Sequence, residues 1–182
     1  TSSIDPVDFR RGEIDARIAL GGTNTPNTIV KRLFRPDILP VCGPRFLQNL
    51  PPLTKPQDLG NYTLLYTTYR PEAWPLWLSA HGIDEPVASK RLTFQSSCLA
   101  YEAAAENLGI AMAQLPLVID DLRLGRLVAP FPRTVPDSRE YNLIYSDAAS
   151  KHEGLKCFSS WIVAAARKSQ MEADEFKSTL AR

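Results

Sequence analysis

Two adjacent serines at a strand-to-helix junction offer the clearest chemistry in the chain. In RLTFQSSCLAYEAAAENLGIAMAQ, residues 91–114, Leu92 and Phe94 alternate with polar neighbours, which predicts a strand ending at Gln95. Ser96 or Ser97 then caps a helix whose first backbone N–H groups have no partner within the helix. Gly109 supplies a left-handed stop, and Ile110 and Met112 restart a strand. A helix start at the carboxyl end of a strand presents free N–H donors and the positive end of the helix dipole. With hydroxyls beside it, such a place holds a small polar or anionic ligand; the plainer alternative is that the serines only cap. A second strand end has the same promise. EIDARIALGG sets Ile14, Ala16, Ile18 and Leu20 on one face, and Gly21-Gly22 end the run where the backbone turns tightly or approaches a ligand closely.

Other chemistries lack their patterns. Ser97, His81 and Asp120 are the residue types of a hydrolase triad, yet no GxSxG turn is present and nothing places an imidazole beside a hydroxyl. No catalytic residue and no enzyme activity are therefore expected. His81 and His152 fall in no HExxH or paired-cysteine spacing, so no metal site is assigned and both are read as surface histidines. GGTNTP has glycines but neither GxGxxG nor a P-loop lysine, and no nucleotide or other cofactor is expected. The odd number of widely spaced cysteines, Cys42, Cys98 and Cys157, reads as reduced core thiols of a cytoplasmic protein.

With 182 residues, 44% hydrophobic and 23% charged, the chain can bury a core in one domain or two small lobes. Twenty-one basic against 20 acidic residues give a formal net charge of +1, interspersed with no basic block. Such a surface does not wrap nucleic acid by itself. No apolar run approaches the roughly 20 residues of a membrane span, so no membrane partner is expected.

The elements that must position these residues alternate between strands and short helices. Asp5-Pro6 opens a helix stopped by Gly12. TIVKRLF and DILPVC read as strands, the second broken by Gly43-Pro44, and a short helix covers Phe46 to Leu50. NYTLLYT precedes a helix near Glu72–His81, with Pro75 in its first turn and Trp74, Trp77 and Leu78 on one packing face. Pro116 starts another helix through VIDDLRL, RLVAPF returns as a strand, and YNLIYS is the last strand. Leu155, Phe158, Ile162 and Ala165 mark an amphipathic helix to about Arg167. The tail after it, QMEADEFKSTLAR, reads as partly disordered or loosely helical. This order predicts an α/β fold with largely parallel strands, enough for two small sheets.

Taken in sequence, DFRRGEIDARIALGG, RLFRPDILPVCGP, PQDLGNYTLLYTTYRPEAWPLWLSAHG, RLTFQSSCLAYEAAAENLGIAMAQLPLVIDDLRLGRLVAPF and YNLIYS resemble the effector-binding domain of LysR-type transcriptional regulators. YRPEAWPLWL followed by FQSS is most similar to the branch of the glycine-cleavage and β-lactamase-induction regulators. The resemblance implies a type 2 periplasmic-binding-protein-like fold, two α/β lobes joined by crossover strands near DILPVC and LVAPF, with a small-molecule effector held in the cleft. Lobe one would be residues 1–42 plus 131–167, lobe two 43–130, and 168–182 a tail. It implies effector contacts at Thr1, Ser2, Ser96, Ser97 and Tyr141, to which the backbone reading adds Gly21 and Gly22. It further implies that the first strand and helix of lobe one are absent here, and that the intact protein binds DNA through a winged helix-turn-helix, also absent, as a homodimer or homotetramer. The competing reading is a solute-binding protein of a transport system, which shares the two-lobed design.

Overall fold

The computed structural model describes residues 9, 14–22, 26–48, 51–83 and 90–180. Thr1, Ser2 and nearly all of the helix expected from Asp5 to Gly12 lie outside them. The chain divides into two compact units, one comprising Thr1–Pro36 and Ser138–Met171, the other Asp37–Asp137 and Glu172–Arg182.

The first unit carries a three-stranded sheet in the order β1 (Ala16–Leu20), β8 (Tyr141–Ser146), β2 (Thr28–Phe34). Both outer strands run antiparallel to β8, with Ala16 opposite Tyr145 and Lys31 opposite Leu143. The central position of β8 buries Leu143 and Ile144 on both faces, whereas Ile18 on the outer strand β1 stays 49% exposed. Leu33, Leu143, Tyr145, Leu155 and Ala166 form this unit's core.

The second unit is built on a five-stranded sheet in the order β5 (Lys90–Phe94), β4 (Thr63–Thr67), β6 (Ile110–Gln114), β3 (Asp37–Val41), β7 (Val135–Pro136). β4 is parallel to both β5 and β6, because α1 (Ala73–Ser79) and α2 (Ser97–Ala105) supply the long returns that parallel pairing needs. β3 is antiparallel to β6 and β7. The expectation of largely parallel strands therefore holds only for β4, β5 and β6. Alternation identifies a strand, but its direction depends on which distant strand it meets.

Every position of β6 is buried. On α1, Trp74, Trp77 and Leu78 are buried as their spacing predicts, each contributing about 1.5–3 kcal/mol of hydrophobic transfer. The two indoles also donate to the Leu65 and Arg133 carbonyls, both at 3.1 Å.

Several local expectations need correction. Asn107, with φ +62°, takes the left-handed position after α2. Gly109 is required for space instead: a Cβ there would lie 2.6 Å from the Thr63 carbonyl oxygen. RLVAPF is not a strand; Val128 makes an isolated bridge to Cys42, and pairing resumes only at β7. Pro130 and Pro132 have no N–H to donate. Residues 44–48 form turns rather than a helix, and 49–50 lie outside the described residues. Of the cysteines only Cys42 is buried; Cys98 and Cys157 are exposed. The tail is not loose, because α4 runs from Glu153 to Leu180. Ala173 is buried, with Phe176 and Leu180 packed against the second unit's core, at the three- and four-residue spacing of one helical face.

Candidate functional site

The parallel strands β4, β5 and β6 send their carboxyl ends to one edge of the second unit's sheet. Ser96, just beyond β5, has extended backbone angles of φ −128° and ψ 155°, and its Oγ accepts the Leu99 N–H at 3.3 Å. It is therefore the cap of α2. Ser97, the first helical residue, is freed from capping and lies one turn before Tyr101. Thr68, after β4, is tied to the end of β5: its N–H and Oγ1 donate to the Phe94 carbonyl at 2.9 and 3.3 Å.

Two buried groups at this edge escape sequence reading. Tyr101 is 6% exposed, and its phenol oxygen accepts the Gln114 N–H at 3.1 Å. Burial pushes the phenol pKa up, outweighing the Arg70 charge and the hydrogen bonds from Gln114 and Ser97 that lower it. The phenol is therefore neutral across the physiological range. Arg70 donates from Nη2 to Asp137 Oδ2 at 2.6 Å, with side-chain exposures of 6% and 1%. The only local signal for Arg70 is a charge three residues beyond the end of β4; nothing in the sequence marks Asp137 as its partner.

In the first unit, Leu20 pairs with Tyr141, which brings Gly21 and Gly22 to the start of β8. Both glycines are left-handed, at φ +72° and +63°, a region that side-chain-bearing residues rarely occupy. Gly21 N–H donates to the Glu140 carbonyl at 2.8 Å, and a Cβ at Gly21 would press on Arg139 Cδ at 3.3 Å. Tyr141 packs on Phe34 with ring centroids 4.9 Å apart. Gly21, Gly22 and Tyr141 thus form one group in the first unit, while Ser96 and Ser97 belong to the second.

Cavities of about 340 and 290 Å3 flank the first turns of α4, one including Asp15, His152 and Phe158, the other Lys31, Tyr145 and Lys156. Neither includes an expected site residue. His81 stacks on Trp77 at 3.9 Å and its Nδ1 lies 2.7 Å from the Trp77 carbonyl oxygen; Asp120 pairs with Arg123 at 3.7 Å. Neither is partnered with Ser97. Among the described residues no group of three or more His, Cys, Asp or Glu side chains is placed to hold a metal ion, and no helix is long and apolar enough to cross a membrane.

Two α/β units, with polar residues gathered at the carboxyl ends of parallel strands, have the architecture of type 2 periplasmic-binding-protein-like domains. Residues 1–167 match the LysR substrate binding domain family, and the chain belongs to that family. Its relatives include the glycine cleavage system transcriptional activator of Escherichia coli K12, 28% identical over 165 residues that make up 91% of this chain and 53% of that protein. The HTH-type transcriptional regulator TrpI of Pseudomonas aeruginosa is 34% identical over 141 residues, 76% of this chain and 48% of that protein. The AmpR effector binding domain from Citrobacter freundii superposes with a TM-score of 0.75 at 26% identity, covering 90% of this chain and 80% of that one. The chain spans about half the length of the Escherichia coli and Pseudomonas aeruginosa proteins. Each is named as a transcriptional regulator, which sets the transport reading aside.

Proposed function

We propose that this chain is the effector-sensing domain of a bacterial LysR-type transcriptional regulator and takes a small polar or anionic metabolite at the start of α2. The observation that carries the reading is the division of labour between the two serines. Ser96 satisfies the helix start, which leaves Ser97 and the adjoining N–H groups to meet a ligand. A carboxylate there would gain charge-assisted hydrogen bonds worth about 1.5–3 kcal/mol and a dipole contribution of about 0.3–2 kcal/mol. Gly21, Gly22 and Tyr141 are the further candidate contacts, together with Thr1 and Ser2. The domain performs no catalysis and needs no cofactor.

In this reading the intact protein works in the cytoplasm as a homodimer or homotetramer. DNA is contacted by a winged helix-turn-helix outside these residues, and the effector acts by favouring one conformation over another. The test is a thermal-shift screen of the chain against small carboxylic acids, amino acids and phosphate esters. A true effector raises Tm with the logarithm of its concentration, and the rise is reduced in Ser97→Asp and in Tyr141→Phe. A ligand whose shift is untouched by both substitutions, or a panel with no binder, counts against the proposal.

A further inference from the structure

In the first unit, β2 carries a cation on its core face. Side chains alternate along a strand, so Ile29, Lys31 and Leu33 point the same way, and Ile29 and Leu33 belong to the unit's core. Lys31 stands opposite Leu143, which is fully buried. An ammonium turned toward apolar packing is costly unless polar partners meet it. Lys31 Nζ donates to Ser159 Oγ at 2.9 Å and lies 5.8 Å from the centre of the Tyr145 ring, within cation–π range. Ser159 and Tyr145 are themselves 1% and 5% exposed. Buried groups therefore fix the ammonium in place and leave it N–H donors to spare.

Those donors belong to the lining of the cavity of about 290 Å3 bounded by Lys31, Tyr145, Ser150, Leu155, Lys156 and Ser160. Lys156 brings a second ammonium, paired with Glu153 at 2.6 Å. Among the described residues no carboxylate pairs with Lys31, so the cavity keeps one positive charge without a counter-charge. Ser150 spends its hydroxyl hydrogen on the Asp147 carbonyl at 2.5 Å, whereas the Ser160 hydroxyl adds a donor.

We infer that this cavity binds the carboxylate of a small organic acid, at a site separate from the start of α2. The carboxylate meets Lys31 and Lys156, and a short hydrocarbon body lies on Leu155 and the Tyr145 ring. The single unbalanced charge suits a monocarboxylate; a phosphate dianion would bring excess negative charge into a partly buried place. The volume sits at the lower end of the roughly 300–1,000 Å3 of small-molecule pockets, so the ligand is small. One competing account is that β2, an outer strand of its sheet, uses an inward-pointing charge to discourage pairing with another chain. That account explains Lys31 but neither its buried anchor Ser159 nor the second lysine at the same cavity.

Nitrogen-15 NMR titration of the 182-residue chain with sodium butyrate, against sodium chloride at matched ionic strength, separates the two. Butyrate is expected to give saturable shifts at the amides of residues 31, 145, 155–156 and 159–160, and inorganic phosphate to bind more weakly. Lys31→Met, which removes the charge but keeps an unbranched side chain, and Lys156→Gln should each weaken butyrate by about tenfold or more, the loss of one charge-assisted hydrogen bond. Ser159→Ala, which frees Lys31 from its anchor, should weaken it by a smaller factor. Lys156 is 55% exposed, so its variant decides the matter even where Lys31→Met fails to fold. Absence of saturable butyrate shifts, shifts confined to the residues around Ser97, or binding untouched by Lys156→Gln would overturn the inference. Phosphate bound more tightly than butyrate would overturn the assignment to a monocarboxylate.

Discussion

Replacing Asp137 with alanine leaves the Arg70 guanidinium buried without its Asp137 counter-ion. The pair is 2.6 Å apart with side-chain exposures of 6% and 1%, so water screens it little. Breaking such a pair costs about 3–5 kcal/mol, a large part of the roughly 5–15 kcal/mol that holds a domain folded. With a urea slope near 2 kcal/mol per molar, the midpoint falls by about 1.5–2.5 M. The internal control is Arg32–Glu140, 3.0 Å apart but 63% and 36% exposed; Glu140→Ala should cost no more than about 1 kcal/mol. Far-ultraviolet circular dichroism follows both units, and Trp74 and Trp77, both in the second unit's core, report the Asp137→Ala transition by fluorescence in a Trp161→Phe background. A buried pair is also replaceable, so the Arg70→Met, Asp137→Leu double variant should recover most of what Asp137→Ala loses. Equal costs for Asp137→Ala and Glu140→Ala, or a double variant as unstable as the single one, would refute the reasoning.

Burial pushes the Cys42 thiol up to about 12 from 9.0, and a group whose folded value is raised loses its stabilising contribution as pH rises between the unfolded and folded values. Stability should therefore fall between about pH 9 and 12 in the parent with a component missing in Cys42→Ala, and Ellman's reagent should modify Cys98 and Cys157 in the native protein but Cys42 only on unfolding. Gly109→Ala should destabilise by about 1–3 kcal/mol in urea, since its Cβ meets backbone at 2.6 Å; an unchanged midpoint would show that the strand yields. Phe176→Ala should cost about 1–3 kcal/mol, below the value for a fully buried phenylalanine, and should speed hydrogen exchange over the last turns of α4.

Local pattern was enough wherever one element decides its own form. The strands NYTLLYT and YNLIYS, the one-sided tryptophans of α1 and the capping chemistry before α2 all read correctly. What depends on a distant partner did not read. Arg70 meets Asp137 across 67 positions, and β8 enters between β1 and β2 from the far end of the chain. Gly109 shows a subtler failure: a glycine near a helix end suggests a left-handed residue, but Asn107 adopted that conformation and Gly109 serves a close strand crossing. In the tail, the charges around Ala173, Phe176 and Leu180 masked a narrow apolar stripe that packs on the second core. At the candidate site the serines were legible because caps are local; Tyr101, Gln114 and the ion pair behind them were not.

The central claim, that Ser97 meets the effector's polar or anionic group, is tested most directly by titration calorimetry of the parent chain and Ser97→Asp with the first ligand the screen yields. Ser96 keeps the cap in the variant, and an aspartate in a helix's first turn is itself favourable to folding. The account predicts an unchanged urea midpoint with affinity reduced at least about tenfold, the equivalent of 1.4 kcal/mol. A ligand bound equally well by both proteins would contradict it and leave the start of α2 a structural cap.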